Sequence, residues 1–464
     1  MSTTTKYTSP FPPLELTSGD EARLEDKAYF LVQSAISEYQ DYLYKDQCAV
    51  DRDQWKFMKR KQKIRVYVER SEKEIRKRRK HTTRQAQEGS CCSTSEVESF
   101  SPDSTWTSLA DSNTPVLGAD STDTDSHRSV RSSLGVPAFL VAGSIEGTLE
   151  DAMYGVMCPT VDAMRIKSSY VQDNIVNAAV LATIISPTVE NPFRSLSVKW
   201  VEKAQPMYLD ALVKNHDAVI LESTGITSLM NGERIGYVLL HSVEFPETSP
   251  LDTVVRGGLS VCMLFREDVK ASVDVFLIGN VNPVSGVTKL LVVKSAIEGL
   301  ISVWKFVECA RMKKLAWALN QQHSCSIEHI PGVQENQPHD SESARPCCTH
   351  CKRRASRHRR RNFLGRKRAV CNLCAEYVCS SCKVKQKLSY QQQQQQQQLV
   401  RQRELTFCAL CIHVAVMRTS SVAVATEEAD VMTRNSAGHK SMITSWLRGM
   451  LDQPLCRYTQ SWRR

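Results

Sequence analysis

Twelve residues near the C-terminus, CNLCAEYVCSSC (371–382), carry four cysteines as two Cys-x2-Cys pairs, and a further pair stands on either side. The full set is Cys348/Cys351, Cys371/Cys374, Cys379/Cys382 and Cys408/Cys411. The N-terminus, MSTTTKYTSPFPP, lacks the basic-then-apolar pattern of a secretory signal. The longest apolar run, AAVLATIIS (178–186), falls far short of the roughly 20 residues of a membrane-crossing helix. A cytoplasmic, reducing setting is therefore expected, in which clustered cysteines serve as metal ligands rather than disulfide partners.

Eight thiolates in four pairs suit two tetrahedral Zn2+ ions, each with four sulfurs at about 2.3 Å. The four-residue gap between the middle pairs is too short for both to close on one ion in a simple hairpin. The spacing thus predicts an interleaved assignment, with Cys348, Cys351, Cys379 and Cys382 on one ion and Cys371, Cys374, Cys408 and Cys411 on the other. A four-sulfur site leaves no open coordination position, so both ions are expected to be structural. Their binding, worth about 10–16 kcal/mol, would supply the folding energy that so small a segment lacks in core.

The net charge of +10 is unevenly spread. Residues 352–370 hold ten Lys or Arg and no acid, whereas the basic run at 56–80 has acids interleaved and reads as a solvated face. A cationic stretch attracts anionic membranes or nucleic acid. The basic runs lack the interleaved aromatics of single-strand binders and no base-reading helix is evident, so nucleic acid is the weaker partner. A zinc-finger regulator associated with protein partners or nucleic acid is the alternative reading. No Gly-x-Ser-x-Gly, phosphate loop or metalloprotease pair is present, and the scattered His216, Asp217, Glu222 and His241 make no catalytic pattern. The chain is expected to be non-enzymatic, with Glu222 a buried hydrogen-bonding partner.

Composition divides the chain. Residues 82–135, rich in Ser, Thr and Asp, cannot bury enough surface to offset their ordering entropy and are expected to be a disordered insertion. Polar residues 321–345 read as a linker, glutamines 391–398 interrupt the cysteine region (346–415), and residues 416–464 form a tail with a short helix at SMITSWLRGMLDQ. Between insertion and linker, 136–320 alternates short β-rich runs with turn signals: FLVAGSIEGT, SLSVKWVEKA, DAVILESTGIT, GERIGYVLLHSVEF, LSVCMLF and SVDVFLIGNV. One long helix is predicted from about 288 to 320, with Ile297, Leu300, Ile301, Trp304, Val307, Met312, Leu315 and Leu319 on one face. A helix over 16–44 and a first strand over 55–71 join this domain, so 10–81 and 136–320 form one α+β unit, an antiparallel sheet with the long helix laid across it.

The order of helix, strand, GSIEGTLEDAMYGV, VKWVEK, DAVILESTG, HSVEFP and a C-terminal helix resembles the START family over 16–81 and 136–320. That resemblance implies a helix-grip fold, in which a sheet and the C-terminal helix enclose an apolar tunnel for one lipid. It places Val238, Leu240, Leu300, Ile301 and Trp304 on the lining. The strand bearing the glutamate reads His216-Asp217 where many relatives have Arg-Asp. The eight cysteines resemble a FYVE-type finger over 348–411, which implies docking on endosomal or other anionic membranes through phosphatidylinositol 3-phosphate. Its lipid-reading motif, R(R/K)HHCR, stands here as RKRAVC without the histidines, so Arg366, Lys367 and Arg368 supply charge, about 1 kcal/mol each near an anionic bilayer.

Overall fold

The structure is a computed structural model in which residues 7–78, 138–204, 214–268, 271–282, 289–327, 347–354, 369–394 and 397–437 are described. The expected disordered insertion, most of the linker, Arg366, Lys367 and Arg368, and the helix at SMITSWLRGMLDQ lie outside the described residues.

Helix α1 (Ser18–Gln40) starts at Thr17, whose side chain accepts from the Asp20 N–H while Asp20 caps back onto the Thr17 N–H. Strands β1 (Trp55–Lys61), β2 (Ile64–Glu69) and β3 (Ala138–Glu146) follow, then helices α2 (Leu149–Val156) and α3 (Val161–Val171). Next come β4 (Ile175–Ile185), β5 (Ser195–Lys203), β6 (His216–Ser228), β7 (Arg234–Ser242), β8 (Val255–Arg256), β9 (Gly258–Asp268) and β10 (Ser272–Asn282). They build one ten-stranded sheet in the order β1-β2-β3-β10-β9-β7-β6-β5-β4, antiparallel throughout except that short β8 runs parallel beside β6.

Period-2 alternation sorts the side chains onto two faces. Val261, Met263 and Phe265 of β9 and Val273, Val275 and Leu277 of β10 point to one face with α2 and Ile297, Ile301, Phe306 and Val307 of the C-terminal helices. Cys262, Leu264, Phe276 and Ile278 point to the other, where α1 buries Ala28, Val32, Ala35, Ile36 and Tyr39. This is the α+β, helix-grip arrangement expected from the sequence.

Several elements differ from expectation. The segment 55–71 is a hairpin, not one strand, because Gln62 takes a left-handed conformation (φ 52°) and reverses the chain. The run AAVLATIIS is edge strand β4. The C-terminal helix is two helices, α4 (Lys289–Ile301) and α5 (Phe306–Ile327), joined by a 3-10 turn at Ser302–Lys305. There Ser302 Oγ donates to the Gly299 carbonyl at 2.6 Å, offering that acceptor an alternative to the helical ladder.

The apolar stripe of these helices also has two clients. Ile297, Ile301 and Val307 face the sheet, whereas Met312, Leu315 and Leu319 of α5 are buried against Leu373, Val378, Leu388, Leu405, Phe407 and Ala415 of the cysteine-rich region. That region includes a hairpin, β11 (Lys383–Gln394) and β12 (Gln397–Cys408), with the glutamine run at its tip. The short helix α6 (Ala409–His413) and α7 (Ser421–Ala437) follow. Helix α7 lies in the segment read as a tail, yet it is docked. Val424 and Ala425 enter the sheet-side core, Tyr154 OH donates to Glu428 at 2.7 Å, and Trp317 Nε1 donates to Glu427 at 3.0 Å. No single described helix is long and apolar enough to cross a membrane.

Candidate functional site

A cavity of about 250 Å³ lies between the sheet and the C-terminal helices. Its apolar wall comes from α2 (Val156), β7 (Val238, Leu240), β9 (Leu259, Val261, Met263), β10 (Leu277), α4 (Leu300) and the turn and helix after it (Val303, Phe306). Every one of these strand residues belongs to the inward-facing set, so strand alternation brings them to one wall. Helix α3 closes one side with Met164, Lys167 and Val171. It starts at Thr160, whose hydroxyl caps the Ala163 N–H, and ends at Gln172 in the left-handed region.

Most of the charged groups on or beside this lining are held in discrete contacts. Lys199 and Glu222 form an ion pair, with the Lys199 side chain fully buried and that of Glu222 nearly so. Lys199 also donates to the Cys158 carbonyl at 2.8 Å, and the Cys158 thiol sits 3.9 Å from the Glu222 carboxylate. Asp217 is buried, accepting from Trp200 Nε1 at 2.8 Å and from Arg256 twice, at 3.0 and 2.9 Å. An arginine thus does reach the aspartate of the His-Asp strand, but it arrives from β8. Asp173, just past α3, accepts from Ser168 Oγ at 2.6 Å and lies 3.8 Å from Lys167 Nζ. Burial opposes its ionisation, but the Lys167 and Lys203 ammoniums and the Ser168 hydroxyl outweigh that and hold its carboxyl below the usual range. His241 meets Ser260 at 2.9 Å. Glu222, Asp217 and His241 are therefore engaged in separate contacts.

The second site is the cysteine region. Cys348, Cys351, Cys379 and Cys382 form one cluster and Cys371, Cys374, Cys408 and Cys411 another, with all sulfurs of a cluster within 4.8 Å of one another. The interleaved grouping is the one drawn from the spacing. Two knuckles share a backbone plan. The Lys352 N–H donates to the Cys348 carbonyl at 2.9 Å and the Cys348 N–H to Arg353 at 2.9 Å; Ala375 to Cys371 (3.0 Å) and Cys371 to Glu376 (2.8 Å) repeat it. The residue closing each knuckle, Lys352 (φ 57°) or Ala375 (φ 56°), is left-handed. Cross-links tie the knuckles together, Thr349 N–H to Tyr377 at 3.1 Å and Val378 N–H to Ala369 at 3.0 Å. Cys408 caps α6 by accepting from the Cys411 N–H.

The sulfurs fit a metal. Four ligands at about 2.3 Å in a tetrahedron stand about 3.8 Å apart, and Cys351 and Cys379 sulfurs are 3.7 Å apart. None of the described cysteines is in a disulfide. Backbone N–H groups of Leu373, Cys379 and Cys411 point at the sulfurs of Cys371, Cys348 and Cys408 at 3.3–3.4 Å, which favours thiolate. Donation from the Cys379 and then the Cys351 backbone pulls the Cys348 thiol down to about 6. Two clusters of four can thus each hold a metal ion.

No family model matches the chain and no curated protein matches it. Among solved structures it is similar to human STARD10 (TM-score 0.34, 13% identity, covering 62% of this chain and 84% of that one). It is similar also to human StAR-related lipid transfer protein 5 (TM-score 0.36, 12% identity, 61% and 98%). A third is the human StarD13 lipid transfer and protein localization domain (TM-score 0.32, 9% identity, 59% and 95%).

Of the residues expected on a lining, Val238, Leu240 and Leu300 are on the cavity wall. Ile301 and Trp304 are not among the lining residues. Ile301 is buried in the core beside it, and Trp304 is half-buried with the Lys61 and Lys305 ammoniums over its ring. Sequence reasoning missed Lys199, Lys167, Asp173 and Lys203. The one signal for Lys199 is a charge inside an otherwise apolar run, SLSVKWV, opposite a second such charge in VILEST.

Proposed function

We propose that this chain is a non-enzymatic lipid-binding adaptor. The START-like cavity holds a lipid, and the cysteine module, a divergent FYVE-type finger with two structural Zn2+ ions, docks the protein on anionic, endosomal membranes facing the cytoplasm. The observation that carries the reading is the cavity, a largely apolar void with a few charged groups on its lining, between the sheet and the C-terminal helices. Interiors tolerate few voids larger than a water molecule, and ligand pockets join apolar walls to a few placed polar groups. Glu222, Asp173, Lys167 and Lys203 put a few charged groups on the lining, where a lipid's polar end would meet them. The eight cysteines carry the zinc, and Arg366, Lys367 and Arg368 with the rest of the 352–370 run carry attraction to the membrane.

Native mass spectrometry of the full chain purified from cells tests the first half. A co-purifying lipid that maps to the cavity by crosslinking is expected, and a chain that stays empty when offered lipid vesicles would overturn it. Two zinc equivalents per chain by elemental analysis test the second. Vesicle flotation then separates headgroup selection from charge. Preference for phosphatidylinositol 3-phosphate over equally charged lipids at physiological salt supports the docking role. Binding lost alike for all anionic lipids as salt rises reduces it to nonspecific attraction.

A further inference from the structure

We propose that the ligand of this cavity is an amphiphile with a single anionic head, held at the cavity margin by Lys203 together with Lys167. The proposal rests on the lipid-binding reading and adds the chemistry of the head.

The charged groups on the lining and immediately behind it, where Lys199, Arg256 and Lys305 stand, do not balance. Glu222 is matched by Lys199 and Asp217 by Arg256. Asp173 is left with three ammoniums around it. Lys167 lies 3.8 Å away, and Lys203 and Lys305 both act on its carboxylate. Lys305 is fixed in place by hydrogen bonds to the Val171 carbonyl and Gln172 Oε1, each at 2.8 Å, and so is already engaged. Lys203 ends β5, reaches across toward α4, and has its Nζ 4.0 Å from where a side chain at Gly299 would begin. Among the described residues no hydrogen bond or ion pair holds that ammonium.

Its exposure explains how the arrangement is stable without a ligand. The Lys203 side chain reaches solvent although it lines the cavity, and the protein crowded around its ammonium lowers its pKa by burial. Water solvates the ammonium while the margin is open. A ligand entering there takes away that water, and an ammonium covered without a counter-charge is costly. A neutral head imposes that cost, whereas an anionic head removes it and cancels the surplus positive charge. The tail then lies against Val238, Leu240, Leu277, Leu300 and Phe306. A carboxylate and a phosphate monoester share this chemistry.

The test uses the full chain loaded with zinc and displacement of a fluorescent fatty acid. Palmitic acid, lysophosphatidic acid, hexadecanol and inorganic phosphate are compared on the wild-type protein and on Lys203→Gln, with thermal melts showing that the variant folds. The two anionic amphiphiles are expected to bind roughly tenfold tighter than hexadecanol, and Lys203→Gln to erase that advantage by weakening both anions while hexadecanol, with no ammonium left to cover, binds no worse. Equal affinity for acid and alcohol, or an advantage that survives Lys203→Gln, overturns the anionic head while leaving the lipid cavity standing. Displacement by inorganic phosphate alone shows a free-anion site and also overturns it. Failure of every amphiphile to displace the probe overturns the lipid cavity as well.

Discussion

Ala375 holds a left-handed conformation that a Cβ disfavours, and its methyl group is exposed, so it contributes nothing by packing. Ala375→Gly relieves about 1–2 kcal/mol of backbone strain against about 0.5–1 kcal/mol of added chain entropy. A net gain of roughly 0.5 kcal/mol in urea unfolding is expected, while Ala375→Val should lower stability. Lys199 poses the opposite case. Lys199→Met strands the Glu222 carboxylate in the interior and should cost about 3–5 kcal/mol, whereas Lys199→Met with Glu222→Leu should recover most of that loss. If the double variant is no more stable than the single one, the pair is not what burial acts on. The two residues differ in how visible they are in the sequence. Each cysteine pair is legible because two ligands three positions apart must converge on one ion whatever surrounds them. Lys199 meets Glu222 only through sheet register, and Lys203 acts on Asp173 only through a loop after α3, which no local pattern encodes.

At the scale of elements, α2 and α5 touch backbone to backbone. A Cβ placed on Gly155 would fall 1.8 Å from the Phe306 carbonyl oxygen, and a main chain cannot swing aside as a side chain does. Gly155→Ala should push the helices apart and cost about 1–3 kcal/mol or more, read by urea unfolding, with a larger cavity detected by faster quenching of the bound fluorescent probe. Burial within the sheet layers sets a pH limit too. The Cys262 thiol, under α1, is pushed up to about 12 and the Cys309 thiol of α5 to about 11 by burial. Both keep their protons in the fold, while an unfolded thiol loses its proton near pH 8.5. Their stabilisation is therefore intact below about pH 8.5 and is lost as pH climbs toward about 11–12. The urea midpoint should fall above about pH 8.5, and Cys262→Ala with Cys309→Ala should flatten that fall. The strands were legible because a sheet covered on both faces makes each strand a short apolar, β-branched run between turn signals. The hairpin at Gln62 and the break at Ser302 were not, since one residue's φ and one hydroxyl bond leave the apolar pattern unchanged.

At the scale of the whole molecule, the sequence suggests two modules joined at a linker, and the apolar stripe of α5 argues for one body. Met312, Leu315 and Leu319 are buried in one cluster with Leu388, Leu405 and Phe407 of the hairpin. The hairpin grips α3 as well, with Ser169 and Ser389 hydroxyls 2.6 Å apart and the Ser389 N–H donating to Tyr170 OH at 2.7 Å. The opposite side of α3 is the cavity wall at Met164, Lys167 and Val171. Helix α7 adds a second strap, through Ser421 on Asp151 at 2.6 Å and Gln321 on Glu427 at 2.7 Å. Metal removal should thus be felt in the cavity wall. Chelation followed by hydrogen exchange is expected to cost protection at 312–319 and 164–171 while β9 and β10 keep theirs, because these strands are paired on both sides and hold none of the eight clustered cysteines. A fragment ending at residue 320 bares three large apolar side chains worth about 1.5–3 kcal/mol each when fully buried. It should unfold at lower urea than the full chain and associate in solution. Should that fragment be monomeric and as stable as the intact protein, with exchange at 164–171 indifferent to chelator, then α5 is not the shared support and cavity and cysteine clusters are independent.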